Sequence, residues 1–476
     1  GDAGRVIVWS DERTDFSGSI EARGGNGFVE TSSKINLQAN GVVLAPGGEW
    51  LLDPNNITIV SGSTNSNISG SFDSTDDSAQ VGADNIVAAL DAGTSVNIQT
   101  QSAGTNAESG NIIVNSAIDV SPGDTDPTLT LTASGDITIN DSIESSGDQD
   151  LNVVFSAGGD VSITRQIDTK GGNFTTTGVN FSNSGLGFIL TSGGNVALNH
   201  TGTISIAGQV STSGGSFISS DGTTFSNTQT IDTDGGAFSL TNSGAITIGA
   251  TVDASGDTGA ITLNGSSTVD IDSSVTSGTD GLSINDTAGT VSLNANITGG
   301  SGGNINFGNN PVTLEGSLTV QSAGSGAITF GSTLDGDGDS DTLTISSGTG
   351  TTTFTGAIGG TTALNALSLT SGGAVALSDI GTSLQAGLSA SSSINASGAV
   401  TLSGSDYNTN QIDLTGSSFS FTNGSSVTFQ TSNDNLTFNT GAISLSSSTP
   451  YHPSPSSPAS QTRPSPATAK IEPKLR

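Results

Sequence analysis

One segment in the second half of the chain carries closely spaced carboxylates. The run Asp335-Gly336-Asp337-Gly338-Asp339-Ser340-Asp341 places four aspartates at alternate positions. Calcium is a hard cation that takes six to eight oxygen ligands in proteins. Asp335, Asp337, Asp339 and Asp341 are therefore candidate calcium ligands.

The spacing of these aspartates departs from that of an EF-hand loop. The sixth position of that loop is glycine and the twelfth is glutamate, whereas Ser340 and Ser346 occupy these positions here. The alternative interpretation is a solvated acidic turn between Leu334 and Leu343. The net charge of −33 also favours weak, nonspecific screening by cations. We predict no cofactor beyond weakly bound Ca²⁺.

Histidine could supply a catalytic base or a haem ligand, and the chain has only His200 and His452. A hydrolytic triad needs a base beside a nucleophile, and haem iron needs His, Cys, Met or Tyr. His200 lies in Asn199-His200-Thr201-Gly202, which predicts an exposed turn between strands, and His452 lies in a proline-rich tail. Neither position indicates catalysis or haem binding.

Carboxylate pairs that cleave polysaccharides are a further possibility, because the chain has 43 Asp and Glu residues. Gripping a sugar chain usually requires exposed Trp, Tyr, Arg or Lys as well. Positions 171–462 contain neither Lys nor Arg. Trp9 and Trp50 lie in strand-like apolar runs, where packing in the core or at an edge is expected. We predict that the chain is not an enzyme.

The composition excludes several other classes of protein. None of the 476 residues is cysteine, so disulfides, thiolate metal sites and cysteine nucleophiles are absent. A chain this acidic repels phosphate backbones, so nucleic acid is not an expected partner. Apolar runs such as Val6-Ile7-Val8-Trp9 are far shorter than the roughly 18 residues of a membrane-spanning helix, and no such segment is predicted. Because the chain lacks methionine, we expect a processed chain or an excerpt of a longer one.

Short apolar alternations recur along most of the chain and are typical of strands with one buried face. Examples are Ile137-Thr138-Ile139, Val161-Ser162-Ile163, Ile246-Thr247-Ile248 and Val400-Thr401-Leu402. The 67 glycines mostly fall between such segments, where turns are expected. The chain is predicted to be almost entirely strand and turn.

These strands belong to an internal repeat. The glycine pairs Gly214-Gly215 and Gly235-Gly236 stand 21 residues apart, and Gly171-Gly172 precedes them by about two such periods. Residues 244–253 and 326–335 form a longer echo, about four periods apart. A period near 21 with two or three short strands fits one coil of a parallel β-helix. Phe174, Phe217 and Phe238 would then occupy equivalent positions and form an internal aromatic stack.

Three segments depart from the repeat. Residues 84–92 predict a short helix with Asp84 as N-cap and Gly93 as terminator. Residues 61–83, rich in Ser, Asn, Asp and Gly, precede it and predict a loop. From Thr449 onward the chain holds seven of its 12 prolines and four of its 10 basic residues, which predicts a disordered, extended tail.

The first part of the chain resembles a known family. The matching pieces are Gly4-Arg5-Val6-Ile7-Val8-Trp9-Ser10-Asp11, Phe16-Ser17-Gly18-Ser19-Ile20-Glu21-Ala22-Arg23-Gly24-Gly25, Gly27-Phe28-Val29-Glu30-Thr31-Ser32 and Leu51-Leu52-Asp53-Pro54-Asn55-Asn56-Ile57-Thr58-Ile59. With the helical segment and the following Gly93–Thr100, they make residues 1–145 similar to filamentous haemagglutinin-like exoproteins, the large passengers of two-partner secretion. Beyond residue 145 the similarity is limited to the general pattern that many β-solenoid repeats share.

The resemblance implies a secreted or outer-membrane-associated protein of a Gram-negative cell surface, with a right-handed β-helix and a role in adhesion. In the family such a segment follows an amino-terminal secretion domain. The implied partners are an outer-membrane secretion pore and an unknown host or cell-surface receptor or polysaccharide. A chain exported unfolded through a pore should lack disulfides, which agrees with the absence of cysteine.

The sequence therefore predicts an all-β protein, a right-handed parallel β-helix (β-solenoid) with one short helix and a disordered C-terminal tail. Its parts are a β-helix segment at 1–60, the loop at 61–83, solenoid repeats at 84–448 that open with the helix at 84–92, and the proline-rich basic tail at 449–476. The predicted function is that of a structural rod segment of an adhesin-like exoprotein. The alternatives are a β-helix polysaccharide-active enzyme and a calcium-stabilised surface-layer repeat protein.

Overall fold

The chain divides into two compact units, Gly1–Ser243 (unit 1) and Gly244–Arg476 (unit 2). The computed structural model describes residues 4–23, 26–33, 36–53, 56–63, 78–100, 109–123, 125–147, 149–285, 289–423, 426–432, 436–439, 442–445 and 468–471. Both units consist of short strands joined by turns, and unit 1 also holds a helix.

The strands of unit 1 are β1(Arg5–Ser10), β2(Arg13–Phe16), β3(Ser19–Glu21), β4(Phe28–Ser33), β5(Asn36–Ala39), β6(Val42–Leu44), β7(Glu49–Asp53), β8(Asn56–Val60), β9(Ser78–Gly82), β10(Ser95–Gln99), β11(Ile112–Val114), β12(Ile118–Val120), β13(Thr128–Ala133), β14(Ile137–Ile139), β15(Ile143–Ser145), β16(Asn152–Ala157), β17(Val161–Ile163), β18(Ile167–Asp168), β19(Phe174–Gly178), β20(Phe181–Asn183), β21(Ile189–Leu190), β22(Val196–His200), β23(Thr203–Ile206), β24(Val210–Ser211), β25(Phe217–Gly222), β26(Thr224–Asn227), β27(Ile231–Asp232) and β28(Phe238–Asn242); the helix α1(Ala83–Asp91) follows β9.

The strands of unit 2 are β29(Ile246–Ile248), β30(Val252–Asp253), β31(Ile261–Asn264), β32(Val269–Ile271), β33(Val275–Thr276), β34(Leu282–Ile284), β35(Val291–Leu293), β36(Ile297–Gly299), β37(Ile305–Asn306), β38(Val312–Leu314), β39(Leu318–Ser322), β40(Ile328–Phe330), β41(Leu334–Gly336), β42(Thr342–Ser346), β43(Thr352–Phe354), β44(Ala366–Ser371), β45(Val375–Leu377), β46(Leu388–Ala396), β47(Val400–Leu402), β48(Asp406–Thr415), β49(Ser418–Phe421), β50(Val427–Thr431), β51(Leu436–Asn439), β52(Ala442–Leu445) and β53(Thr468–Ile471).

In unit 1 each coil contributes strands to separate parallel sheets, and each strand pairs with those of the coils before and after it. The first sheet runs β1, β4, β7, β10, β13, β16, β19, β22, β25, β28. The second runs β2, β5, β9, β8, β11, β14, β17, β20, β23, β26. The third runs β12, β15, β18, β21, β24, β27, with β3 and β6 forming a separate pair. Unit 1 is a parallel β-solenoid.

Unit 2 repeats this arrangement. Its first sheet runs β31, β34, β37, β40, β43, β45, β47, β49, β52, and its second runs β29, β32, β35, β38, β41. Its third runs β30, β33, β36, β39, β42, β44, β46, β48, and β48 then pairs with both β50 and β51. The predicted all-β parallel solenoid is confirmed.

The aromatic residues at equivalent positions share one column of the first sheet. Phe174 is in register with Val196, Val196 with Phe217, and Phe217 with Phe238, and all are fully buried. The rings of Phe217 and Phe238 stack with centroids 5.2 Å apart. The predicted column is confirmed, but Val196 interrupts it, so Phe174 packs edge-on against Phe155 instead, at 5.5 Å.

The glycine pairs end tight turns that stack between coils. Ser213 (φ 49°) and Gly214 (φ 105°) both have left-handed backbone conformations, which glycine tolerates best. A Cβ on Gly215 would overlap the carbonyl oxygen of Gly194 in the preceding coil. The Oγ1 of Thr212 donates a hydrogen bond to the carbonyl oxygen of Gly215 and closes the turn. Close backbone contact therefore requires the repeated glycine.

The repeat length varies more than a single period of 21. Asn152 and Asn173 are hydrogen-bonded across coils at a separation of 21 residues, whereas Asn111 and Asp136 are separated by 25. The longer echo in the sequence does not mark equivalent positions. Its residues 246–248 form β29 of the second sheet, whereas residues 328–330 form β40 of the first. Turn length, which differs between coils, breaks the equivalence.

The predicted helix is present but begins differently. Its N-cap is Gly82, in an extended conformation and without a side-chain cap, so the assignment of Asp84 as N-cap is wrong. Asp84 instead lies in the first turn, where a negative charge interacts favourably with the helix dipole. Gly93 has a φ of 77° and its N–H donates to the carbonyl oxygen of Leu90 at 2.9 Å, so this glycine ends the helix as predicted.

Two segments predicted to be irregular contain strands. Ser78–Gly82, within the predicted loop 61–83, inserts as β9 between β5 and β8 of the second sheet. Thr468–Ile471, within the predicted tail, pairs antiparallel with β50. Tertiary pairing overrides the local composition at both places. Residues 64–77, 446–467 and 472–476 lie outside the described residues.

Candidate functional site

The candidate calcium ligand Asp335 is engaged by the protein backbone. It lies in β41, and its Oδ1 accepts hydrogen bonds from the N–H groups of Thr361 at 2.7 Å and Thr362 at 3.2 Å. These partners lie in the following coil, 26 and 27 residues further along the chain. Asp335 therefore acts as a link between coils.

The other three aspartates follow in the turn before β42. The Oδ1 of Asp337 accepts a hydrogen bond from the N–H of Asp339 at 2.9 Å. Burial, followed by the negative charges of Asp337 and Asp339, raises the pKa of Asp341. The structure thus brings these carboxylates near one another, although no three of the four candidates place their oxygens within 4.8 Å of one another. Calcium binding by this loop stays a prediction.

Among the residues that the structure describes, one group of three carboxylates does converge. Oxygens of Asp270, Asp272 and Glu315 lie within 4.8 Å of one another. Burial, followed by the charges of the other two, raises the pKa of Asp270. The Oγ of Ser292 donates to the Oε1 of Glu315 at 2.8 Å. Chemically, this cluster can share a proton or offer oxygen ligands to a hard cation.

Sequence reasoning did not identify this cluster. Asp270 is the central residue of β32 and Asp272 follows that strand directly. Glu315 directly follows β38, two strands further along the second sheet. The Asp-x-Asp pair is visible in the sequence. Its neighbour Glu315 is brought close only by coil stacking, and the variable repeat length hides that proximity.

His200 is buried, so the prediction of an exposed turn is wrong. It is the last residue of β22, its side chain points into the coil, and it is 0% exposed. Its Nε2 lies 3.2 Å from the Oγ1 of Thr176, and its ring packs against Phe181 with centroids 5.4 Å apart. Burial lowers the pKa of His200 to about 4, against a smaller opposing effect of Asp160. The inward phase of β22 continues through Asn199-His200 and overrides the turn signal.

The two tryptophans have different environments. Trp50 is fully buried, as predicted, but Trp9 lies on the outward face of β1 with half of its surface exposed. Ile7, on the same face of β1, is 52% exposed. Strand alternation places Ile7 and Trp9 outward because Val6 and Val8 take the inward positions.

Asparagine and aspartate side chains couple the coils of unit 1. The Oδ1 of Asn152 accepts the N–H of Asn173 at 3.0 Å, and the Oδ1 of Asn173 accepts the N–H of Asn195 at 2.8 Å. The Oδ1 of Asn195 accepts the N–H of Ser216 at 2.8 Å in turn. These residues stand just before or at the start of first-sheet strands. A recurring Asn one coil apart at strand starts is the sequence signal that could have revealed this ladder.

A second ladder runs along the turns that lead into the second sheet of unit 1. Asn111, Asp136, Asp160 and Asn180 each accept, through Oδ1, a backbone N–H from the following coil at 2.8–3.1 Å. In unit 2 a hydrogen bond of this kind precedes first-sheet strands instead: the Oδ1 of Asn304, just before β37, accepts the N–H of Ala327, just before β40, at 2.8 Å. Each acceptor satisfies a backbone N–H group that has no partner in the hydrogen bonds of the sheet.

A cavity of about 860 Å³ opens among turns of unit 2. It is lined by hydroxyl, amide and backbone groups and by one proline, from Ser266, Ser267, Thr268, Asn285, Gly289, Thr290, Gly308, Asn309, Asn310 and Pro311. No titratable side chain is among these described lining residues. Such a lining suits a neutral polar molecule better than an ion.

No protein-family model matches the chain, and a search of curated proteins found no match. Within the described part of the chain, no helix has the length and apolar character needed to cross a membrane. The fold and the contacts described above therefore carry the functional argument.

Proposed function

We propose that the chain is a structural segment of an adhesin-like exoprotein, secreted or held at the surface of a Gram-negative cell. Its units would hold attachment surfaces away from the cell body. The observation that carries this proposal is the stacking of coils in each unit, reinforced by hydrogen bonds from one coil to the next. We propose no catalytic role.

Stacked coils make each unit stiff. Every interior strand pairs with two neighbours, and the inward columns are filled by large aliphatic and aromatic side chains such as Phe155, Phe217 and Phe330. Bending a unit would require lengthening many strand hydrogen bonds together. This property suits a spacer, because each coil adds its own layer of buried apolar surface.

The outward surface would provide attachment. Ile7 and Trp9 expose apolar area on β1, beside Arg5, whose guanidinium lies 4.7 Å from the ring centre of Phe28. Exposed aromatic and arginine side chains are frequent contributors to binding energy at interfaces. The polar cavity of unit 2 would accept small neutral polar groups. The receptor that the family resemblance implies would be a host or cell-surface protein or polysaccharide.

Export would use an outer-membrane pore of the two-partner type. The resemblance of residues 1–145 to passengers of such pores supports this step, and so does the lack of cysteine. A chain without disulfides can cross a pore unfolded and form its coils on the far side. Folding coil by coil could then favour movement in one direction.

The proposal is tested by export and adhesion together. The chain is joined to a two-partner secretion domain and expressed with the cognate pore in a Gram-negative host. Surface exposure is measured by protease accessibility, and adhesion by the binding of chain-coated beads to cells and to immobilised polysaccharides. We expect pore-dependent exposure and bead binding that falls at least threefold in the double variant Ile7→Ser, Trp9→Ser.

A matched control carries Val179→Ser and Leu186→Ser, two exposed apolar residues elsewhere on unit 1, and should adhere normally. Beads that bind no better than albumin-coated beads would overturn the adhesive role. Exposure that does not depend on the pore would overturn the export route.

A further inference from the structure

His200 lies in the interior of unit 1, where one of its two ring nitrogens lacks a hydrogen-bond partner. Its Nε2 contacts Thr176, but its buried Nδ1 has no hydrogen-bond partner. Gly178 lies against the ring, since a Cβ there would come within 3.0 Å of the imidazole Cε1. Phe181 covers one side of the ring. Among the described residues, no carboxylate forms an ion pair with this imidazole.

The coils that follow carry further unsatisfied groups. The Oγ of Ser219 and both side-chain polar atoms of Asn242 are buried without partners. Between Ser219 and Asn242 in the chain, the pairing of β25 with β28 is irregular. Its register shifts between Ser220 and Gly222, and Asp221 has a φ of 68°. Buried polar atoms without partners lose the hydrogen bonds that water gives them in the open state, so they destabilise the closed coils. This stretch is therefore a weak part of the stack.

The charged groups around His200 are few. Asp160, in the turn before β17, is the carboxylate whose charge acts on the imidazole, but its Oδ1 accepts hydrogen bonds from the backbone N–H and the side-chain amide of Asn180. Asp221, on the bulge of β25, is exposed. The described residues that contact the ring from β19 and β20 are Thr176, Gly178 and Phe181, and all are uncharged.

We propose that His200 makes the coils from Phe174 to Asn242 a proton-triggered weak point, which opens locally when its imidazole is protonated. Opening lets water reach the charged ring, whereas in the closed coil its contacts with Thr176, Gly178 and Phe181 are all uncharged. This local opening involves unit 1 alone and does not depend on the proposed adhesive function.

The pKa of His200 differs between the closed coil and the open, water-exposed coil. Burial holds the pKa of His200 at about 4 in the closed coil, below its value of 6.5 in water. The closed state is therefore fully favoured above pH 6.5 and loses its advantage as the pH falls from 6.5 toward 4. At pH 5 the opening equilibrium should rise about 30-fold relative to pH 7.5.

Hydrogen–deuterium exchange of the full chain, corrected for the intrinsic pH dependence of exchange, tests this directly. We expect peptides within 174–242 to lose protection about 30-fold between pH 7.5 and pH 5. Peptides within 291–330 of unit 2 serve as the internal reference and should change less than threefold. The acidic chain loses negative charge over the same range, so this reference also reports the general electrostatic effect.

Two variants separate His200 from that general effect. His452→Gln removes the other histidine and should behave as the unmodified chain, whereas His200→Leu should abolish the acid-dependent loss of protection in 174–242. Should His200→Leu fail to fold, the imidazole NMR titration of His452→Gln, which leaves His200 as the only histidine, decides the matter. Titration of His200 near pH 6.5, or an unchanged acid response in His200→Leu, would overturn the proposal.

Discussion

The indole Nε1 of Trp50 donates a hydrogen bond to the Oγ1 of Thr31 at 3.0 Å inside unit 1. Both residues are fully buried, and they lie on the neighbouring strands β4 and β7. A buried indole N–H normally requires an acceptor. The stacking of one coil on the next supplies this acceptor, so the hydrogen bond holds two coils together.

Replacing Thr31 with Val should therefore destabilise unit 1. The variant keeps the shape of the side chain but leaves the Trp50 N–H unsatisfied, which costs about 1–3 kcal/mol of unfolding free energy. Urea unfolding followed by Trp50 fluorescence in a Trp9→Phe background measures the loss. Thr31→Ser retains the hydroxyl and should lose less. Equal stabilities for the Val and Ser variants would show that the hydrogen bond contributes nothing.

Replacing Gly215 with Ala should distort the turn column of unit 1. The added Cβ would overlap the carbonyl oxygen of Gly194, which belongs to the backbone and has little freedom to move. We expect a loss of roughly 2–3 kcal/mol, measured by urea unfolding. Gly185→Ala is the matched control because its Cβ would lie 3.8 Å from its nearest contact, the Ala207 carbonyl oxygen. If both variants are equally stable, close coil contact does not explain the repeated glycines.

Replacing Asn173 with Ala should weaken one step of the asparagine ladder. The N–H of Asn195 loses its acceptor but can turn to water, because this end of the coil is exposed. The expected loss is about 1 kcal/mol. Asn173→Asp keeps the accepting oxygen, as Asp136 and Asp160 do in the second ladder, and should retain most of the stability. A larger loss of unfolding free energy for Asn173→Asp than for Asn173→Ala would show that the accepting oxygen does not stabilise the stack.

Calcium should stabilise the chain only through general screening. The net charge of −33 predicts a modest rise in Tm at millimolar divalent cation, of similar size for Ca²⁺ and Mg²⁺. Scanning calorimetry with each ion, and with chelator, measures it. Asp337→Asn is the diagnostic variant for a designed site in the acidic turn. A rise with Ca²⁺ far above that with Mg²⁺, lost in Asp337→Asn, would show specific binding instead.

Much of the fold could be predicted from local patterns. Alternation in segments such as Val161-Ser162-Ile163 identified strands, and the glycine pairs identified stacked turns. The helix was predicted from its apolar middle and from Gly93. Its N-cap was not, because Gly82 already has the extended backbone that an N-cap needs, and no side chain is required.

The chemistry inside the coils was harder to predict. His200 was assigned to a turn because Asn, Thr and Gly surround it, yet the inward phase of β22 carries it into the interior. The cluster of Asp270, Asp272 and Glu315 was not identified at all. Both depend on which coil lies next to which, and at what register.

The sequence by itself determined the strand alternation, the need for glycine in the turns and the absence of cysteine chemistry. Only the tertiary structure decided the neighbours of each residue, such as Val196 between Phe174 and Phe217 or Thr31 beside Trp50. The physical reason is turn length. Coil neighbours stand 21 residues apart in one place and 25 in another, and only backbone pairing between coils fixes that register.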